Sequence, residues 1–242
     1  MTLRDWLRER PYTLTMSAGF FSFFAHIGVI SVLADEGLLP QRITGASAGT
    51  IAGALWGAGC TIEAMKQRLF ALQKSDFWDP GLGLGFLKGE RFRDLVSEMA
   101  PVALLEDCVI PVTISVYEIA SRQTRLISTG DIGRAVLASC CVPFLFQPVR
   151  LKNGRLHYDG GILDRPGLAG TQPGERIFYH HITSRSPWRR KNSPSLQIPQ
   201  RDNLVTLAIP DLPRAGPNKL EMGPVAFAQA RQAMQVALDR PL

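Results

Sequence analysis

No two cysteines in this chain are spaced to hold a metal. Cys60, Cys108, Cys140 and Cys141 are the only four in 242 residues, and the adjacent pair is not a C-x-x-C. Their neighbours are apolar or small, so buried free thiols in a reducing, cytoplasmic setting are expected, with neither metal nor cofactor. The N-terminus, MTLRDWLRERPYT, mixes acids and bases and has no apolar stretch after a basic start, which speaks against a leader peptide. There is no low-complexity tract, linker or internal repeat, so residues 1–242 read as a single domain. The formal charge is +6, yet no nucleic-acid motif accompanies it. Much of the excess gathers in Arg185, Arg189, Arg190, Lys191 and Arg201, in one Pro/Ser-rich segment. That segment reads either as a solvated loop or as a peripheral contact with an anionic membrane surface. Asp, Glu, Lys and Arg are also missing from Pro11 to Ala34, a run long enough to cross a bilayer. Ser17, Gly19, Ser22, His26, Gly28 and Ser31 interrupt it, so it reads as a buried strand, a turn and a buried helix.

What is present alternates between strand and helix patterns. YTLTM (12–16) is β-prone, and the run from 20 to 37 reads as a helix, apolar nearly all round. Residues 41–44 form a short strand and 48–58 a buried helix. Ile62, Met65, Leu69 and Leu72 give the stretch 61–74 an apolar stripe. Residues 75–90 read as a long apolar loop, which should pack against the sheet or bind something. Strands are expected at 109–117, 124–128, before Asp159, at 176–182 and at 203–209. Asp131 should N-cap a helix running to Ser139, and a last helix starts near Pro224. The pattern predicts an α/β fold, a three-layer α/β/α sandwich around a mostly parallel central sheet.

The stretch Gly45-Ala46-Ser47-Ala48-Gly49 fits G-x-S-x-G between a predicted strand and helix, the setting of a nucleophile elbow. Gly45 and Gly49 would let the chain turn sharply, and the helix N-terminus favours developing negative charge. A serine nucleophile needs a base. One reading is a triad using Asp159 with His180 or His181, although an elbow this early in the chain is unusual for that fold. Another is Asp159 alone, held in a tight turn by Gly160 and Gly161 and accepting the serine proton directly. Backbone N–H groups of Ala18, Gly19 and Phe20, in the turn between the first strand and helix, are the candidate oxyanion donors.

Order, spacing and flanks together make the sequence resemble the patatin-like phospholipases. The features are Ser17-Ala18-Gly19, FAHIGVISVLADEGLLP from Phe24, GASAG, and AVLASCCVPFLFQPVRLKNGRLHYDGG ending in D-G-G. The resemblance implies a Ser47–Asp159 dyad and calcium-independent hydrolysis of a lipid or phospholipid ester through an acyl-serine. It departs from the family in the oxyanion loop, where Ser17 and Ala18 replace expected glycines. Glycine tolerates φ/ψ that are costly to other residues. That departure supports an alternative: a non-catalytic or partner-activated lipid-binding protein on the same fold. The phenylalanines at 20, 21, 23 and 24 read as core rather than acyl contacts.

Overall fold

The computed structural model describes residues 1–184, 193 and 196–242. Arg185, Arg189, Arg190 and Lys191 of the basic segment therefore lie outside the described residues. In chain order the elements are α1 (Leu3–Glu9), β1 (Thr13–Met16), α2 (Phe23–Asp35), β2 (Arg42–Ala46), α3 (Ala48–Gly57) and α4 (Ile62–Phe70). Then come β3 (Gly85–Leu87), α5 (Glu90–Met99), β4 (Val112–Glu118), β5 (Gln123–Ile127) and α6 (Ile132–Cys140). The last are β6 (Phe144–Phe146), β7 (Val149–Arg150), β8 (Leu156–Asp159), β9 (Ile177–Ile182), β10 (Leu204–Ile209) and α7 (Met222–Leu238). Asp131 caps α6 as expected, its carboxylate accepting from Arg134 N at 2.7 Å.

Strands β10, β9, β1, β2 and β4 run parallel in that order, which gives the expected α/β fold with a mostly parallel sheet. Side chains alternate across the pleat. Leu14, Met16, Ile43, Ile114, Val116 and Phe178 face the main core, where α2, α3 and α6 pack. The other face carries Thr13, Thr15, Thr44, Ser115 and Tyr179, all buried. The turn-rich segment 160–171 covers it, with Leu168 packed on Ile177 and Tyr179. Both faces are thus dry, as parallel sheets require.

The register of β4 brings two distant strand ends together. Ile114 and Ser115 pair with β2 on one edge and β5 on the other. Val116 to Glu118 pair with β5 and with β8. β2 and β8 must therefore share one edge of β4, meeting end to end from opposite directions. Ala46 lies opposite Ser115 and Asp159 opposite Val116, the next residue.

The long loop expected over 75–90 contains a strand. β3 pairs in parallel with β6, Gly85 with Phe144 and Leu87 with Phe146, in a small sheet of their own. Two helices went unforeseen, α1 and α5. Pro11 to Ala34 folds as β1, a turn and α2, and among the described residues no helix is long and apolar enough to cross a membrane.

Candidate active site

Ser47 sits on the turn from β2 into α3 with φ 52° and ψ −121°, a strained conformation for a residue with a Cβ. The surroundings fix it. Ser47 N donates to Ser139 Oγ at 2.9 Å, and Ser139 Oγ donates to Ser115 O at 2.7 Å. Gly49 lets α3 rest on β1, since a Cβ there would lie 2.2 Å from Met16 O; Gly45 lies under the same carbonyl.

Ser47 Oγ donates to Asp159 Oδ2 at 2.7 Å. The second carboxylate oxygen, Oδ1, accepts from Gly161 N at 2.7 Å. A Cβ on Gly160 would fall 2.0 Å from Ser115 O, so only glycine lets the chain leave β8 this close to β4. The serine, the aspartate and the four motif glycines thus converge on one point. Cys140 lies nearby, its Sγ 3.8 Å from Thr50 Oγ1. Burial and the Asp159 charge push its thiol far up, which favours the protonated form.

The triad geometry does not form. His26 and His180 pair Nδ1 to Nδ1 at 2.8 Å, and His26 Nε2 reaches Ser17 O at 2.9 Å. A carbonyl only accepts, so His26 carries its proton on Nε2 and accepts at Nδ1 from His180. His181 faces the other side of β9, against Tyr179 Oη at 2.8 Å. Burial lowers His26 to about 4, drives His180 well below its ordinary value and lowers His181 to about 4. All three are neutral at pH 7 and engaged away from Ser47.

The oxyanion expectation needs one correction. Ala18 N–H is not available, because it donates to Arg165 O at 2.7 Å. Gly19 N–H has no hydrogen-bond partner among the described residues, and Gly19 and Phe20 line the space in front of Ser47. The Gly-poor loop is tied rather than free. Ser17 N donates to His180 O at 3.2 Å, and Ser17 O accepts from His26. Ser17 Oγ accepts from Ile182 N at 2.8 Å. The buried Arg165 guanidinium in turn holds Ile182 O at 2.6 Å and Ser184 O at 3.1 Å.

Two cavities meet at Ser47. One is almost wholly apolar, lined by Phe20, Phe21, Phe23, Ile51, Phe77 and Trp78 among others. So Phe20, Phe21 and Phe23 line it, contrary to a purely core role, while Phe24 is core with no exposure. The second is a larger open groove with Ser47, Asp159, Gly161, Arg165 and Phe144 on its walls.

Ser139, Arg165 and the His26–His180 pair were not singled out from sequence as site-supporting residues. Ser139 lies in the A-S-x-x-x-P stretch that carried the resemblance, so its signal was present without a role. Arg165 follows D-G-G by four residues, and nothing local marks it.

A family model described as Patatin-like phospholipase matches residues 14–169. That is more than half of the chain, which therefore belongs to the patatin-like phospholipase family. An uncharacterized NTE family protein of Mycobacterium tuberculosis is 29% identical over 154 residues, covering 62% of this chain and 42% of that protein. The neuropathy target esterase of Drosophila persimilis is 26% identical over 176 residues, 68% of this chain and 12% of the esterase. The match thus spans less than half the length of these relatives. Among solved structures, VipD from Legionella pneumophila superposes with a TM-score of 0.66 at 14% identity, over 94% of this chain and 67% of that one. The type III effector ExoU gives 0.54 at 16%, over 94% and 52%. Both likenesses are of fold.

Proposed function

We propose that this chain is a serine lipid acyl hydrolase working through a Ser47–Asp159 dyad. The observation that carries the reading is the 2.7 Å hydrogen bond from Ser47 Oγ to Asp159 Oδ2 at the mouth of an apolar cavity. The acyl chain of an ester lies in that cavity and the alcohol part in the open groove. Ser47 Oγ attacks the ester carbonyl as Asp159 takes its proton. The Gly19 and Phe20 N–H groups and the N-terminus of α3 face the oxyanion of the tetrahedral intermediate. Asp159 then protonates the departing alkoxide, leaving acyl-Ser47 and a free alcohol. Water, deprotonated by Asp159, attacks the acyl-serine, and the proton returns to Ser47 as the carboxylic acid leaves. No metal enters any step.

The experiment is hydrolysis of a short-chain p-nitrophenyl ester in excess chelator by wild type, Ser47→Ala and Asp159→Asn. Wild type should be active and each variant should lose about a thousandfold or more. Asp159→Asn near the wild-type rate would remove the dyad. An inactive wild type that also fails to take a fluorophosphonate probe on Ser47 would favour the non-catalytic alternative.

A further inference from the structure

Large apolar side chains stand in solvent beside the site, on the two short strands β3 and β6 and on the bend that leads into β3. Leu82, Leu84 and Phe86 are 101%, 72% and 53% exposed, and Phe144 is 87% exposed. They belong to one structure, because β3 pairs with β6 and Gln147 Nε2, just after β6, donates to Leu82 O at 2.9 Å. Concentrated exposure of this kind marks an interaction surface.

The patch is continuous with both cavities. Along β3, Leu87 turns inward to line the apolar cavity while Phe86 turns outward. Phe86 packs on Trp78, with ring centroids 5.7 Å apart, and Trp78 lines the same cavity. Phe144 is itself a wall of the groove that holds Ser47 and Asp159. The next residue after β3, Lys88, is exposed and has no ion pair among the described residues, a complement to anionic headgroups.

We propose that this β3–β6 flap docks on a lipid layer, seating Leu82, Leu84, Phe86 and Phe144 among acyl tails so that the groove opens into the layer. The inference rests on the lipid hydrolase reading for its occupant. A surface continuous with an acyl-sized apolar cavity suits a layer that supplies chains to it. A folded partner seated there would close the mouth instead.

Docking is tested without turnover. Ser47→Ala protein is sedimented with phosphatidylcholine–phosphatidylglycerol vesicles, alone and with Leu82→Ser/Leu84→Ser added. The triple variant should bind about tenfold more weakly for each leucine lost. In the Ser47 background, the two serine substitutions should leave hydrolysis of a soluble short-chain ester unchanged, since Leu82 and Leu84 line neither cavity. A melting curve establishes folding even if no ester is hydrolysed, so failure of the hydrolase reading stays distinguishable. Equal vesicle binding by both proteins overturns the proposal. So does absence of binding, including the case where the leucine substitutions instead dissolve a concentration-dependent dimer.

Discussion

The two halves of the site are stiffened by opposite means. Around Ser47 and Asp159 the chain relies on missing side chains: Gly49 and Gly160 admit carbonyls to distances no Cβ allows. Around Gly19 it relies on added polar groups: the Ser17 hydroxyl, the His26–His180 pair and the Arg165 carbonyl each take or give a hydrogen bond to the loop or its support. A turn that has lost glycines can therefore still be held in one geometry if its polar groups are spent on partners, in place of backbone freedom.

Acid should separate the two halves most strongly. His26, which holds Ser17 O, has a folded value near 4, against about 6.5 when unfolded. The unfolded chain thus takes up protons first, and stability is full above about pH 6.5 and falls as pH drops toward 4. For a group shifted this far the loss is roughly 3 kcal/mol by pH 4. Thermal melts from pH 7.5 to 4 should show a steep decline, and a flat profile would break the claim that the loop hangs on neutral histidines.

Next in size is Gly49→Ala. Its Cβ meets the Met16 carbonyl and the Met16 Cβ, neither of which can swing aside, so a loss of about 3 kcal/mol is expected, read as a lowered melting temperature. Gly19→Ala is the control from the other half. Its Cβ meets the Ser22 hydroxyl at 2.6 Å, which can rotate away, and also Ser22 Cβ at 2.9 Å and Ile182 Cγ2 at 3.0 Å, so a smaller cost of about 1 to 2 kcal/mol is expected. Equal costs would erase the contrast.

Ser17→Gly sharpens it furthest, for an effect smaller than that of Gly49→Ala. The change restores a family glycine but deprives Ile182 N–H of its acceptor. It should lower stability by about 1 to 2 kcal/mol and reduce kcat on a soluble ester with KM little changed. Faster turnover would mean that the loop lacks freedom and that its ties are a hindrance.

The elbow and the D-G-G turn were legible because their chemistry demands small residues at fixed spacing. The oxyanion assignment was legible only in part. Ala18 was disqualified by a carbonyl 147 positions away, at Arg165, which no local pattern reveals. α1 carries a local signal: Thr2 and Asp5 form a capping box, and Leu3, Trp6 and Leu7 share the buried face. α5 left little, since only Leu95 and Val96 of its ten residues are buried and it starts at Gly89 with no side-chain cap. β3 and β6 are three residues each and pair across the chain, Gly85 with Phe144, which no local pattern marks. The basic segment was expected to be a loop or a membrane contact. Of its five cations only Arg201 falls among the described residues, donating to Thr171 Oγ1 at 2.7 Å.

The shared edge of β4 works as a ruler. It sets Ser47 against Asp159 by counting one residue along a single strand, whatever the chain does in between. Residues 61–109 contribute no strand to the large sheet. That stretch, which holds α4, β3 and α5, instead shapes what the site admits, since Leu69, Phe77, Trp78, Leu87 and Phe92 line the apolar cavity, while the pairing that sets the two groups runs outside it.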